Sequence, residues 1–292
     1  MTMVTDLGNR LLAAAQRLPV ARAVAEATTS QGQGVVVAVA AQKGGVGKTT
    51  TAVHLAAALA QRHGRRVLLL DLDAQGHVAS SLRAHMRGGA EATLSEVLLG
   101  RDGDVCRCAV ATDIPGLDVC VGDRALGQTE ATLAGRMGRE LLLRRAMSRA
   151  RRAYDVVVLD CPPNLGLLTL NGLCAADQVL VPCELSILSL EGVDALADTL
   201  EGLTASFGRA PAVLGMLHTR VDRRNSRQNA TIRAAAAVRY AGWTLPCEIA
   251  TNTALSAAQL EGQTVFRADP DARGAADYAA LADEVAQRLW AC

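Results

Sequence analysis

Between the apolar run 35–41 (VVVAVAA) and a segment of helical periodicity from Thr49 to Arg62, the chain reads Gln42-Lys43-Gly44-Gly45-Val46-Gly47-Lys48-Thr49-Thr50. A glycine loop between a strand and a helix turns successive backbone N–H groups toward phosphate oxygens, and the helix adds the positive end of its dipole. Lys48 is placed to reach the β- and γ-phosphates, and the Thr49 hydroxyl to meet Mg2+. The phosphate cradle is then Lys43, Gly44, Gly45, Val46, Gly47, Lys48, Thr49 and Thr50. The loop departs from the general G-x-x-x-x-G-K-[ST] pattern, because Gln42 replaces the first glycine and Lys43 follows it.

Such a loop needs a buried strand before it and a helix after it, and the rest of the chain continues that alternation. Strands are predicted at 67–71 (VLLLD), 117–121 (LDVCV), 155–160 (DVVVLD), 178–182 (QVLVP) and 212–217 (AVLGML). Helices are predicted at about 127–152, 166–175, 188–205 and 226–240. Short apolar strands without strict two-residue alternation are those of a sheet buried on both faces. The expected fold class is α/β: a P-loop NTPase with a central, mostly parallel sheet flanked by helices on both faces. A chain of 292 residues suits one large domain of this kind.

Residues 1–33 read as an extension: Leu7, Leu11 and Leu18 share a helical face, Pro19 interrupts it, and TTSQGQG at 28–34 has linker composition. It fits a helix lying on the domain surface or a docking peptide for a partner; the ATPase domain would occupy 34–292. Half of the residues are hydrophobic, yet the longest apolar run has seven, well under the roughly 18 of a spanning helix. Arg10 and Arg17 break the N-terminal apolar segment, so no secretory signal is expected. Eight cysteines without a C-x-x-C pair then read as reduced thiols, and five histidines without ligand spacing argue against an all-protein metal site.

Net charge is only +1, but it is unevenly placed. Arg220, Arg223, Arg224, Arg227, Arg233 and Arg239 face the single acid Asp222, and a second run joins Arg139, Arg144, Arg145, Arg149, Arg151 and Arg152. Either is an electrostatic footprint for a polyanion or simply a solvated helix face.

Lys43 sits at the mouth of the loop, poorly placed to cradle its own nucleotide but able to cross a two-fold axis to that of a facing copy. Asp160 ends a strand at the carboxyl edge of the sheet, where it would hold a Mg2+-bound water. Asp71 and Asp73 end another strand beside the loop, as acids that position water and neutralise charge would.

With this loop, the segments 67–80 (VLLLDLDAQGHVAS), 154–173 (YDVVVLDCPPNLGLLTLNGL), 181–196 and 265–289 resemble the ParA/MinD group of deviant Walker A ATPases over roughly residues 34–292. The resemblance implies Lys43, Lys48 and Asp73 as catalytic residues, with Asp73 orienting the attacking water. It places Thr49, Asp71 and, through a water, Asp160 around Mg2+. It implies a slow Mg2+-dependent ATPase that forms a homodimer when ATP-bound and binds double-stranded DNA without sequence preference. A ParB-like or cargo-adaptor protein would stimulate hydrolysis and release it. Such a protein is cytoplasmic and nucleoid-associated, and segregates a chromosome or plasmid or positions a protein cargo. Its DNA candidates here are Arg220, Arg223, Arg224, Arg227 and Arg233.

Gln42 and the DAQGH segment resemble the ParA form over the MinD form, and Asp277, Asp283 and Glu284 against Arg288 make the last helix unlike a basic membrane helix. The alternatives are a MinD-like membrane-associated regulator and a reductase component resembling nitrogenase iron protein, although Cys106, Cys108 and Cys120 lack the glycine-flanked setting of the latter. There are departures: 249–259 reads IATNTALSAAQ, with Thr251, Ala254 and Ala257 where relatives carry two arginines and a glutamate. The 184–188 stretch (ELSIL) lacks the usual Gln and Tyr, and Asn164 replaces a serine. These changes point to a divergent, cargo-positioning member.

Overall fold

Residues 33–101 and 103–290 are described by the computed structural model. The extension expected over 1–33 lies, up to residue 32, outside the described residues. Among the described residues nine strands form one sheet: β1 (Val35–Val39), β2 (Val67–Asp71), β3 (Met86–Arg87), β4 (Ala109–Thr112), β5 (Leu117–Cys120), β6 (Val156–Asp160), β7 (Gln178–Glu184), β8 (Ala212–Val221) and β9 (Thr244–Ala250). Their order is β3-β4-β5-β2-β6-β1-β7-β8-β9. From β5 to β9 every pairing is parallel, and β4 alone runs antiparallel to its neighbours β3 and β5.

The helices are α1 (Lys48–His63), α2 (His77–Leu82), α3 (Leu94–Leu99), α4 (Leu126–Leu133), α5 (Leu142–Ala146), α6 (Ala150–Ala153), α7 (Leu167–Ala175), α8 (Ile187–Phe207), α9 (Ser226–Arg239), α10 (Thr253–Glu261), α11 (Val265–Ala268) and α12 (Arg273–Trp290). Every residue of β1 is buried, and the strand feeds two cores by alternation. Val35, Val37 and Val39 meet α1 and α12 on one face, while Val36 and Ala38 join residues of α5, α7, α8 and α9 on the other. That is why the run VVVAV shows no polar alternation. The last helix closes the domain as expected, burying Tyr278, Leu281, Ala282 and Val285. Among the described residues no helix is long and apolar enough to cross a membrane.

The single helix expected over 127–152 is instead α4, a 3-10 turn at Arg139–Leu141, α5 and α6. Gly138 adopts φ 67°, a left-handed conformation that ends any helix reaching it. Asn171 of α7 then restarts the chain: its Oδ1 accepts from Leu143 N at 3.1 Å and its Nδ2 donates to the Arg139 carbonyl at 2.8 Å. The second arginine run is broken up with it. Arg151 is held at the amino edge of the sheet by Asp177, at 2.7 Å, and Arg149 and Arg139 pair with Asp104 and Glu140. It forms no continuous basic stripe. Strands β3, β4 and β9 were not expected; β3 and β4 are only two and four residues long, and β9 carries Pro246, which only an edge strand tolerates.

One buried side chain joins three of these elements. His54 Nδ1 donates to the Thr50 carbonyl at 2.8 Å, Nε2 accepts from Val265 N at 3.0 Å, and the ring stacks on Tyr278 at 4.8 Å. Burial pushes its pKa down to about 4. The unfolded chain takes up this proton near pH 6.5 and the folded chain only near 4, so the contribution is intact above 6.5 and is lost as pH falls through 4. Urea midpoints measured from pH 7 to 4 should fall by an amount that includes up to ~3 kcal/mol from this residue. A His54→Gln variant, less stable at pH 7, should show a correspondingly flatter pH dependence.

Candidate active site

The glycine loop leaves β1 at the carboxyl edge of the sheet and enters α1 at Lys48. Gly45 and Gly47 have φ of 77° and 85°, where a side chain would be strained. Two donors at the end of β8 hold the loop. Thr219 Oγ1 donates to the Val46 carbonyl at 2.8 Å, and Arg220 Nη1 donates to the Gly45 carbonyl at 2.9 Å. In a trans peptide C=O and N–H point opposite ways, so these tethers turn the N–H groups of Val46 and Gly47 to the other side of the loop. A cavity of about 490 Å3 beside the loop is lined by Gly44, Gly45, Gly47, Lys48, Thr49 and Thr50, by the two tethers Thr219 and Arg220, and by Asp73 and Tyr278. Lys48 curls over the loop, donating to the Lys43 carbonyl at 3.0 Å. Burial lowers its pKa, against the opposing pull of Asp160.

Asp71 and Asp160 lie in register at the ends of β2 and β6, and both are fully buried. Asp71 accepts from Asp73 N at 2.9 Å and from Val78 N at 3.2 Å. Neither oxygen of Asp160 has a partner in good hydrogen-bond geometry, although the Thr49 hydroxyl is near enough to act on the carboxyl. Burial is the main force raising both pKa values. Asp71 is pushed to about 7 despite its backbone hydrogen bonds, and Asp160 is raised well above the usual range, helped by the Asp71 charge and opposed by Thr49 and Lys48. Gly122, at the end of β5, leaves room for this pair: a Cβ there would lie 2.4 Å from the Asp73 carbonyl oxygen and 3.1 Å from Asp71 Cγ. Asp73 reaches the cavity wall while its Oδ1 caps its own turn, accepting from Gln75 N at 3.0 Å.

Among the described residues no three His, Cys, Asp or Glu side chains converge into a metal cage. The orphaned Asp160 carboxylate beside the Thr49 hydroxyl fits a divalent cation that takes its remaining ligands from water and phosphate.

Lys43 is turned away from the cavity. Its ammonium donates to Glu184 Oε2 at 3.0 Å and to Ser189 Oγ at 3.2 Å. The five arginines proposed for DNA are not equivalent. Arg220 is on the loop, Arg233 pairs with Glu248 and Arg224 with Asp222, while Arg223, Arg224 and Arg227 are exposed. Sequence reading noted Glu184 only as a departure and missed Thr219 as a tether. Their place at the ends of β7 and β8, on the edge that carries the loop, is the signal that would have found them.

The family described as AAA domain matches residues 34–210. The sporulation initiation inhibitor protein Soj of Bacillus subtilis is 36% identical over 255 residues, covering 87% of this chain and 98% of that protein. The chromosome partitioning protein ParA of Caulobacter vibrioides is 38% identical, over 87% of this chain and 94% of its own length. The chain belongs to the ParA/Soj family of partitioning ATPases. A crystal structure of cobyrinic acid a,c-diamide synthase from Mycobacterium smegmatis, with a bound ATP analogue and magnesium, is also similar: 36% identity, TM-score 0.72, 88% of this chain and 96% of that one. ParA/Soj membership and this structural likeness agree with the mostly parallel, helix-flanked sheet.

The two raised carboxyl pKa values mean that their contribution to stability is present below about pH 4 and is lost as pH rises, through about 7 for Asp71. An Asp160→Asn variant should therefore melt a few degrees higher than wild type at pH 8 without nucleotide, and the gain should shrink at pH 5, as read by calorimetry. The same variant should lose Mg2+-dependent nucleotide turnover.

Proposed function

We propose that this ParA/Soj-family chain is an ATP-dependent partitioning or positioning protein whose nucleotide joins two copies, and whose paired form binds double-stranded DNA without sequence preference. Hydrolysis, stimulated by a ParB-like or cargo-adaptor protein, ends that state. The observation that carries the reading is Lys43, a cation at the loop's mouth and outside its own phosphate cavity. A lysine so placed adds charge where a facing protomer would bring its triphosphate, so occupancy and pairing become one event.

The division of labour follows from the geometry. Val46 and Gly47 N–H groups and the α1 N-terminus hold the phosphates, and Lys48, once released from the Lys43 carbonyl, neutralises the β- and γ-oxygens. Thr49, Asp71 and Asp160 are the residues that would hold Mg2+, Asp160 through a water. The ion, when bound, supplies charge neutralisation on the phosphate oxygens. Asp73 orients the attacking water and accepts its proton, after giving up the turn cap on Gln75. That cap makes the unstimulated reaction slow and gives a stimulating partner something to change.

Exposed Arg223, Arg224 and Arg227 lie just past the β8 end that tethers the loop, on the nucleotide edge of the sheet. Arginine contacts to phosphates carry no base information and weaken steeply with salt. This reading places the protein in the cytoplasm on the nucleoid. The membrane-bound alternative would need cations that the α12 surface, with Asp283 and Glu284, does not offer.

Lys43→Ala should retain ATP binding yet lose ATP-dependent dimers; an unchanged sedimentation velocity profile would count against the reading. Asp73→Ala should bind ATP, cut turnover by at least about 100-fold and accumulate dimer. Replacing Arg223, Arg224 and Arg227 with Glu should abolish ATP-dependent shifts of random-sequence duplex in a gel at low salt while leaving dimerisation intact.

A further inference from the structure

Arg220 is the only non-glycine residue with positive φ, 51°, among the described residues. A left-handed arginine is unfavourable by roughly 1 kcal/mol or more, so its contacts must hold it there. Its Nη1 donates to the Gly45 carbonyl at 2.9 Å, and its Nε lies 3.5 Å from Glu184 Oε1. The other oxygen of that carboxylate, Oε2, accepts from Lys43 at 3.0 Å. Glu184 thus stands between two cations: the mobile lysine that the proposed switch requires, and an arginine bolted to the phosphate loop.

We infer that Arg220 is a positioning residue of the nucleotide switch: it shares Glu184 with Lys43 and so sets how readily Lys43 is released toward a facing protomer. For Lys43 to cross to another copy it must leave Glu184 and Ser189. Glu184 has a quarter of its side chain exposed, so a carboxylate stripped of its only cation there would be poorly compensated by water. Arg220 stays on Oε1 and keeps the carboxylate neutralised after the lysine leaves. Before release it draws on the same negative charge and weakens the grip on Lys43. Its second contact, on Gly45, fixes the loop itself, so release of Lys43 does not loosen the phosphate cradle. Thr219, in register with Glu184, supports this geometry through the Val46 carbonyl. Strain in the Arg220 backbone is the cost of aiming one guanidinium at both targets.

The inference rests on the ATP-dependent pairing proposed above, and a mutant cycle separates the two. Dimer dissociation constants would be measured by sedimentation with a non-hydrolysable ATP analogue and Mg2+. Arg220→Gln should weaken the dimer roughly three- to tenfold, Glu184→Gln should tighten it by a similar factor, and Arg220→Lys should stay near wild type. In the Glu184→Gln background Arg220→Gln should cost less than in wild type, since there is no longer a carboxylate to share and only the tether on Gly45 is lost. A merely structural role would give the same penalty in both backgrounds, and that result, or an unmoved Glu184→Gln dimer, would overturn the inference. If Arg220→Gln folds poorly, Arg220→Gly removes the side chain and suits φ 51°, so it reports the same coupling. A wild-type protein that never pairs would sink the proposed function itself, whereas a pairing wild type with insensitive variants would sink only the role of Arg220.

Discussion

β1 is hydrogen-bonded along both edges, to β6 and β7, and covered on both faces, so the chain can leave it only at its carboxyl end. Everything of chemical interest collects around that exit. The strands beside it are parallel, and each delivers its last residue to the same edge: Asp71, Asp160, Glu184 and the Thr219-Arg220 pair. None of these side chains needs a long or specialised loop to reach the site. The parallel sheet sets their relative positions, and local sequence only chooses which side chain stands at each strand end.

That economy has an electrostatic consequence. Two carboxylates in lateral register, fully buried, form a repulsive arrangement that hydrophobic packing of the sheet has to overcome. The cores on either face, built almost wholly from Val, Leu and Ala, supply the surplus. A site poised to take up positive charge is unstable in its absence, and the empty-handed Asp160 oxygens are where that tension is greatest.

Much of this was legible in the sequence because buried parallel strands are written as unbroken apolar runs. VVVAV, VLLLD and VVVLD were readable as strands, and two of them end in the acids of the site. The glycine loop announced itself by composition. What stayed hidden depended on partners distant in sequence. The break between α4 and α5 is set by Asn171, some thirty residues away in the chain, and β9 looks unlike a strand because its proline is tolerated only at an edge. Arg220 was grouped with its arginine neighbours because charge counted along a chain does not show that this guanidinium, next to the end of β8, reaches the carbonyl of Gly45 in the loop. Glu184 could be seen as unusual but not as the counterion of Lys43, which is a fact about adjacent strand ends.

The final helix has a role beyond closing the core. Through Tyr278 it touches Thr51 at 3.3 Å and forms part of the cavity wall, and through Asp277 it accepts from Ala250 N, at 3.0 Å, just before the Thr251-Asn252 turn that lines the same cavity. A helix far along the chain therefore completes the pocket that the loop after β1 begins. A chain cut before residue 273 would carry an intact glycine loop and still lack one side of its binding site, so ligand capture reports that α12 has docked.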